Sequence, residues 1–436
     1  MKTIMITAPS SNTGKTVVTL GIIKEIKNRG FNVSAFKTGP DFIDRKYIGI
    51  ASGKVASNLD MHLMGKEGLE ESLGMNNGDF GVIEGAMGYF DGIYNTYENS
   101  SYDISKELDI PSILIYSPKG EMFSAIPKIK GMVDFSQNRI KGIIFNKTSE
   151  FMYKLLKEQV ENHINIEVLG FLPLDESLNI ESRNLGLLQA DENLELDKLI
   201  IKAGNMVEDT IDINRIIEIS KDIIVNKQSY SKKRNIKVAI AYDNAFNFYY
   251  EENIKLLEEQ CNIEYFSPLN DNYLPETDLI YIGGGYPELF LDQLSKNKQM
   301  IMSIRDYVEA GGYLYAEGGG LMYLVDTIED YPMCGIFSGK STMTDRLQRF
   351  GYVNISLEED CILGKAGVRL TGQEFHRSII NSDERQILQI TKPKSKRKWK
   401  CGYSYKNALG IYQHINFLGN KEALDYLLSK IEKDVN

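Results

Sequence analysis

The chain has 436 residues, 42% of them hydrophobic and 25% charged, with a formal net charge of −10. That length exceeds what one hydrophobic core organises, so two or three domains are expected. The acidic balance argues against a general nucleic-acid or anionic-membrane binder, and any anionic ligand must be held by local lysines, arginines and backbone amides.

The four cysteines, Cys261, Cys334, Cys361 and Cys401, stand apart without C-x-x-C spacing, and with four histidines in all they offer no zinc or iron–sulfur cluster. The N-terminus enters an apolar run with no signal-peptide pattern, and no stretch reaches the length of a membrane span, so a cytoplasmic protein with reduced thiols is expected.

Short β-rich runs alternate with helical patterns, the signature of α/β folds with parallel sheets. In the first half strands are expected at Ile4–Thr7, Asn32–Phe36, Gly81–Ile83, Ser112–Ile115, Ile140–Phe145 and Ile166–Gly170, with helices at Lys15–Asn28 and near Met152–Asn162. The polar, lysine-rich stretch Asn226–Asn235 marks a boundary, giving domains 1–225 and 236–436. A second series of strands is expected at Lys237–Ala241, Tyr265–Ser267, Leu279–Ile282, Tyr313–Ala316 and Gly410–His414. The basic run Lys392–Lys400 reads as a solvated loop or hairpin edge.

The first strand leads into IMITAPSSNTGKTVVTLG, in which a small-residue turn ends Gly14-Lys15-Thr16 before a helix. That order suits a triphosphate: turn amides and the helix N-terminus face the phosphates, Lys15 adds charge and Thr16 can hold Mg²⁺. Pro9 stands where the strict loop pattern has its first glycine, and Asn12, which tolerates a left-handed backbone, stands where many such loops have another. Asn12, Thr13, Gly14, Lys15 and Thr16 are therefore the expected nucleotide-binding residues.

Two further segments follow strand C-termini, the rim where open α/β sheets bind ligands. Lys37-Thr38-Gly39-Pro40-Asp41-Phe42-Ile43-Asp44 offers a lysine to neutralise phosphate, and the Glu84–Gly92 segment brings another carboxylate. Asp44 and Glu84, with Thr16, form an oxygen set suited to Mg²⁺. Plain turn chemistry would account for G-P-D and E-G-A-M-G, but not for a lysine and several acids on one rim.

In the second half, Gly283-Gly284-Gly285 follows a strand and offers consecutive amides for an oxyanion hole. The stretch Gly312–Tyr323 runs strand, sharp turn, helix, the shape of a nucleophile elbow. Position 318, at the turn, is glycine, so His414, the candidate base, has nothing there to deprotonate. His376 fits a substrate contact and a satisfied core histidine equally well.

KTGPDFID, SNLDMHLM, VIEGAMGYFDG, AYDNAFNFYY, FSPLND, IGGGYPELF, AEGGGLMYL, RLQRFGYV and GQEFHRS, in this order over nearly the whole chain, resemble the cobyrinic acid a,c-diamide synthase family. The family includes relatives acting on nickel-sirohydrochlorin and sirohaem. The resemblance implies a dethiobiotin-synthetase-like P-loop domain joined to a class I glutamine amidotransferase-like domain. It also implies amidation of tetrapyrrole acetate side chains: ATP phosphorylates a carboxylate and ammonia attacks the acyl phosphate.

Carried over by position, Gly14, Lys15 and Thr16 fall on the nucleotide loop and Lys37, Asp41 and Asp44 on the K-x-G-P-D-x-I-D segment. Glu84 falls on the magnesium ligand, Tyr89 and Asp91 fall beside the substrate, and His414 falls on the glutaminase base. Gly318 falls on the glutaminase cysteine. Asn184, Gln373 and Asn416 also replace family histidines, so the synthetase motifs are better kept than the glutaminase motifs.

The resemblance thus implies ATP and Mg²⁺, a tetrapyrrole carboxylate, and ammonia, free or from a separate glutaminase. No nucleic-acid or membrane partner is expected, and the assembly is open, a homodimer included. Two alternatives stay beside this reading: a ligase of the same architecture for another carboxylate or tetrapyrrole, and a nucleotide-dependent binding or regulatory module.

Overall fold

The computed structural model describes residues 1–76, 78–180, 182–183, 186–187, 195–225 and 233–435. It divides into two compact units, Met1–Met61 with Gly65–Gln228, and His62–Met64 with Ser229–Asn436.

The first unit is a parallel sheet built from β1 (Lys2–Thr7), β2 (Val33–Thr38), β3 (Ser57–Leu59), β4 (Phe80–Glu84), β5 (Ser112–Tyr116), β6 (Ile140–Asn146) and β7 (Glu167–Leu172). Their order is β3-β2-β4-β1-β5-β6-β7, with Lys221–Asp222 added antiparallel to β1. The strands read as continuous apolar runs because helices cover both faces, as parallel sheets require. Chain order reverses about β1, so the loop after it opens at a topological switch point.

That loop leads into α1 (Lys15–Asn28), which lies against the helix Leu196–Thr210. Gly21 makes the approach possible, because a Cβ there would meet Val207 Cγ2 at 2.5 Å and the Ala203 carbonyl oxygen at 2.7 Å. The second rim segment runs from β2 into α2 (Asp44–Ser52).

The second unit holds a sheet in the order Asn262–Phe266, Lys237–Ala241, Leu279–Ile282, Tyr313–Glu317, Ala408–Ile411, Tyr403–Tyr405. All but the last pairing are parallel. The expected strand Gly410–His414 is corrected: pairing with Tyr313–Glu317 ends at Ile411. His414 lies just beyond, in an isolated antiparallel bridge to Gln373.

Between the elbow and that last parallel strand the chain forms two further sheets that the sequence reading does not anticipate, one antiparallel and one mixed, in which Val325–Ile328 and Phe337–Met343 run parallel. The antiparallel sheet contains Arg349–Leu357 paired with Arg369–His376 and with Leu388–Thr391, which in turn pairs with Lys398–Cys401. The basic run covers the connection of this last hairpin and the start of its second strand. These strands carry threonine, glutamine, arginine and lysine on one face, so they lack the apolar runs that mark the parallel strands.

Candidate functional site

The loop after β1 ends in left-handed backbone at Asn12 (φ 64°) and at Gly14 (φ 80°, ψ 21°), the N-terminal boundary of α1. No side chain caps that helix, so its first amides remain available to an anion. A Cβ at Gly14 would run into the Asn146 side chain, whose Nδ2 donates to the Thr13 carbonyl at 2.7 Å. Asn146, at the C-terminal end of β6, thus clamps the loop. Sequence reading missed it, and the available signal was its place at the rim in Phe145-Asn146-Lys147-Thr148.

Beside the loop, Thr16 Oγ1 donates to Glu84 Oε1 at 2.8 Å. The other oxygen of Glu84 is buried without a hydrogen-bond partner among the described residues. A buried carboxylate oxygen left open next to a hydroxyl fits a hard divalent cation, which prefers such oxygens.

Lys15 is buried and its Nζ donates to the Met87 carbonyl at 2.8 Å. Burial first, and then Lys37, bring its pKa down to about 8. Lys37 is fully enclosed; burial works to lower its pKa, but Glu84, Asp44 and Asp41 outweigh that and hold the ammonium above its ordinary range. Asp44 is pushed well above the usual carboxylate range by burial and by Asp41, with Lys37 opposing. One Asp41 oxygen accepts the amides of Ile43 and Asp44 at 2.8 and 2.9 Å, so this residue shapes the first turn of α2 as well as facing the cleft.

Lys15, Thr16, Lys37, Asp41, Asp44, Glu84 and Asn146 share one cleft of about 460 Å³, which Asn12, Thr13 and Gly14 also line. The Gly85–Asp91 turn closes against the start of the nucleotide loop: Tyr89 N donates to the Ala8 carbonyl at 2.8 Å, and a Cβ at Gly88 would come within 2.5 Å of the Pro9 oxygen.

Tyr89 departs from its expected place beside a substrate. It has no exposed surface, and its hydroxyl is shared between Ser105 at 2.8 Å and Ser112 at 2.9 Å. It anchors the turn from within the core. Asp91 is exposed, and one of its oxygens accepts the Gly88 amide at 3.0 Å.

In the second unit, Tyr313–Glu317 turns sharply into the short helix Gly319–Leu324. Gly318 holds φ 52°, ψ −113°, the strained backbone of a nucleophile elbow. His414 stands directly over it: a Cβ at 318 would lie 2.8 Å from Nε2.

The ring is aimed by Glu317, a residue that sequence reading passed over although it immediately precedes the turn. Glu317 Oε2 faces His414 Nδ1 at 3.2 Å and accepts the Tyr281 hydroxyl at 3.2 Å. Its Oε1 accepts the Tyr315 hydroxyl at 2.6 Å and the Ile415 amide at 3.0 Å. A carboxylate fixed by so many donors holds Nδ1 protonated and leaves Nε2 as the basic nitrogen above position 318.

The expected oxyanion hole is narrower than the glycine run suggests. Gly283 N donates to the Tyr249 hydroxyl at 2.8 Å and Gly284 N to the Phe248 carbonyl at 3.2 Å, so those amides are committed within the fold.

His376 stacks on Tyr412 with ring centroids 3.9 Å apart, and burial brings its pKa down to about 4. It is a packed, neutral histidine. Cys334 is fully buried, and burial pushes its thiol up to about 12, as expected of an inert cysteine. Gln373 is the bridge partner of His414, and Asn416 is buried with Nδ2 at 3.4 Å from Glu252 Oε2. Asn184 lies outside the described residues.

Residues 4–188 match the CobQ/CobB/MinD/ParA nucleotide binding domain, and residues 237–422 match the CobB/CobQ-like glutamine amidotransferase domain. A cobyrinate a,c-diamide synthase of Clostridium acetobutylicum is 41% identical over 98% of this chain and 100% of its own length. One from Clostridium tetani is 41% identical over 99% of this chain and 100% of its own. Among solved structures, PurLQS from Thermotoga maritima aligns with 45% of this chain and 99% of its own at 14% identity and a TM-score of 0.35. With matching domain models in sequence and relatives aligned end to end, the chain belongs to the cobyrinate a,c-diamide synthase family.

Proposed function

We propose that the chain is an ATP- and Mg²⁺-dependent ligase that amidates carboxylate side chains of a tetrapyrrole, the a- and c-acetates of cobyrinate in the first instance. Its nitrogen arrives as ammonia, free or from another protein, because Gly318 occupies the position of the glutaminase cysteine. The substrate class comes from the name carried by the relatives. The reaction is carried by one observation, the buried Glu84 with one oxygen on Thr16 and the other open, set beside Lys15.

MgATP supplies the phosphoryl group that turns a carboxylate, a poor electrophile, into an acyl phosphate with a leaving group. Lys15 and the first amides of α1 would hold phosphate oxygens, and Thr16, Glu84 and Asp44 would hold the metal. Lys37, kept charged by the acids around it, balances negative charge as it develops. Asp41 and Asp91 stand on the rim to receive the incoming amine. Residues 1–225 form the synthetase domain and 236–436 the amidotransferase-like domain.

The test supplies the purified protein with MgATP, ammonium and cobyrinic acid, with nickel-sirohydrochlorin and sirohaem in parallel. ADP and an amidated product should appear together, dependent on the tetrapyrrole acid. ADP and amide absent with every acid would overturn the proposal.

A further inference from the structure

In the second unit the antiparallel strands Arg349–Leu357 and Arg369–His376 set Phe350 directly opposite Phe375. Directly opposed residues share a face, and here the two rings meet edge to face with centroids 5.2 Å apart. Both stay open to solvent, Phe350 at 57% and Phe375 at 39%. Tyr352 follows Phe350 on the same face. Large rings paired on an open sheet face are uncommon on a soluble protein unless something covers them.

Cations border the pair. Lys392 Nζ donates to the carbonyl of Phe350, and Arg346 and Arg349 stand just before it in the chain. Arg349 turns to the opposite face, its guanidinium 4.8 Å above the ring of Trp399. The hairpin connection adds Arg397. All three arginines are exposed, and among the described residues no carboxylate forms a salt bridge with Arg346, Arg349 or Arg397, although the chain carries a net charge of −10. The charge of Arg346 and Arg397 is open to an anion from outside the chain, whereas Arg349 is engaged by Trp399 and bears on Glu374.

We propose that this face binds a flat apolar ring system edged with carboxylates, the chemical class of a tetrapyrrole acid. The identity of the ligand rests on the proposed function; the surface itself does not. The aromatic pair takes a ring face, and the bordering cations take the carboxylates that radiate from its edge. A protein partner is the weaker fit, since a stable interface needs about 800 Å² a side around an apolar core, and the exposed ring contact here joins two residues.

Trp399 is the only tryptophan in the chain and lies under Arg349, so it reports on this region. Cobyrinic acid is titrated into the full-length protein without nucleotide, and the quenching of indole emission by the tetrapyrrole chromophore gives Kd. Replacing each ring, Phe350→Ser and Phe375→Ser, should raise Kd about tenfold, the scale of one lost aromatic contact. Phe350→Tyr keeps the ring and should keep the affinity.

An unchanged Kd in the double variant Phe350→Ser/Phe375→Ser, with turnover present in the unaltered protein, would overturn this surface and leave the ligase reading intact. Loss of affinity in Phe350→Tyr as large as in Phe350→Ser would show that the ring is structural and would also overturn it. Displacement of the tetrapyrrole by polyglutamate at equal carboxylate concentration would mark the surface as purely ionic and would likewise overturn the proposal. Absence of both quenching and turnover in the unaltered protein would instead remove the ligase reading.

Discussion

Lys15 is a buried ammonium that donates to a backbone carbonyl, so the loss of its charge registers on a bound phosphate more than on the fold. Lys15→Ala should weaken ATP binding by about 1.5–3 kcal/mol, the range of hydrogen bonds to charged groups, and calorimetry that returns the wild-type Kd would remove the phosphate assignment. Glu84→Gln preserves shape and the contact to Thr16 but replaces the open carboxylate oxygen. The Mg²⁺ concentration needed for turnover should rise and kcat should collapse with little change in Tm; full activity at ordinary Mg²⁺ would reduce Glu84 to a turn residue.

Glu374 gives a test that needs no ligand. Burial raises its carboxyl to about 7 from an ordinary 4.5, against Gln413, Arg349 and Lys392, which act to lower it. The folded state then holds a proton that the unfolded state has released, so this group's contribution to stability falls as pH rises from 4.5 to 7 and is flat above. His376 runs the other way, because its lowered pKa gives stability that is present above 6.5 and fades toward 4. Glu374→Gln removes only the first trend. Its Tm relative to the unaltered protein should therefore be higher at about pH 8 than at about pH 5, and a pH-independent difference would show that the carboxyl is not protonated in the fold.

Elements divide by how loudly the sequence announces them. The parallel strands of both units follow from apolar runs bounded by glycine and polar turns, and α1 from the turn before Lys15. The strands of the two sheets between residues 325 and 401 were not legible, because half-open strands with arginine and glutamine on one face resemble loops in composition. The elbow was legible as a shape, whereas its most ordered carboxylate, Glu317, was not, since nothing in the chain shows that Ile415 and the two tyrosines converge on it.

The same geometry sets the expectation for Gly318→Cys. The backbone at φ 52° strains any side chain, and the added Cβ would sit 2.8 Å from His414 Nε2 and 2.9 Å from Cε1, so the ring must give way by several tenths of an ångström. The variant should lose roughly 1–3 kcal/mol of stability, gain a thiol that alkylates readily beside the histidine, and release glutamate from glutamine slowly. A reactive thiol with no glutamate release would show that the pocket has lost more than its nucleophile. Gly21→Val tests an element directly: with Val207 and the Ala203 carbonyl already at contact, α1 must move off its partner helix. A loss of about 1–3 kcal/mol is expected, and a Tm equal to that of the parent would contradict the close approach.

At the scale of the whole molecule the chain holds a cleft of buried lysines and carboxylates beside the start of α1, and an elbow whose turn residue is glycine. The two halves read differently because they depend on different things. The loop after β1 and the turn into α2 are set by local backbone and nearest side chains, so GKT and KTGPD announce their shape in sequence; the placement of Asn146 and the burial of Tyr89 depend on tertiary packing and were not legible there.

Glutamine hydrolysis needs one sulfur atom, and Gly318 lacks the side chain that would form a thioester. His414 and Glu317 remain aligned, which in hydrolases stripped of the nucleophile supports only slow residual catalysis. Under the proposed function the consequence is a strict choice of nitrogen source. Given MgATP, a tetrapyrrole acid and a mixture of ¹⁵N-ammonium with unlabelled glutamine, the unaltered protein should place ¹⁵N in essentially all of the amide formed. Gly318→Cys should dilute that label with nitrogen from glutamine, and His414→Ala in the same background should restore it. Unlabelled amide made by the unaltered protein in the mixture, accompanied by matching glutamate, would mean that glutamine is used without a thioester and that the role assigned to Gly318 is wrong.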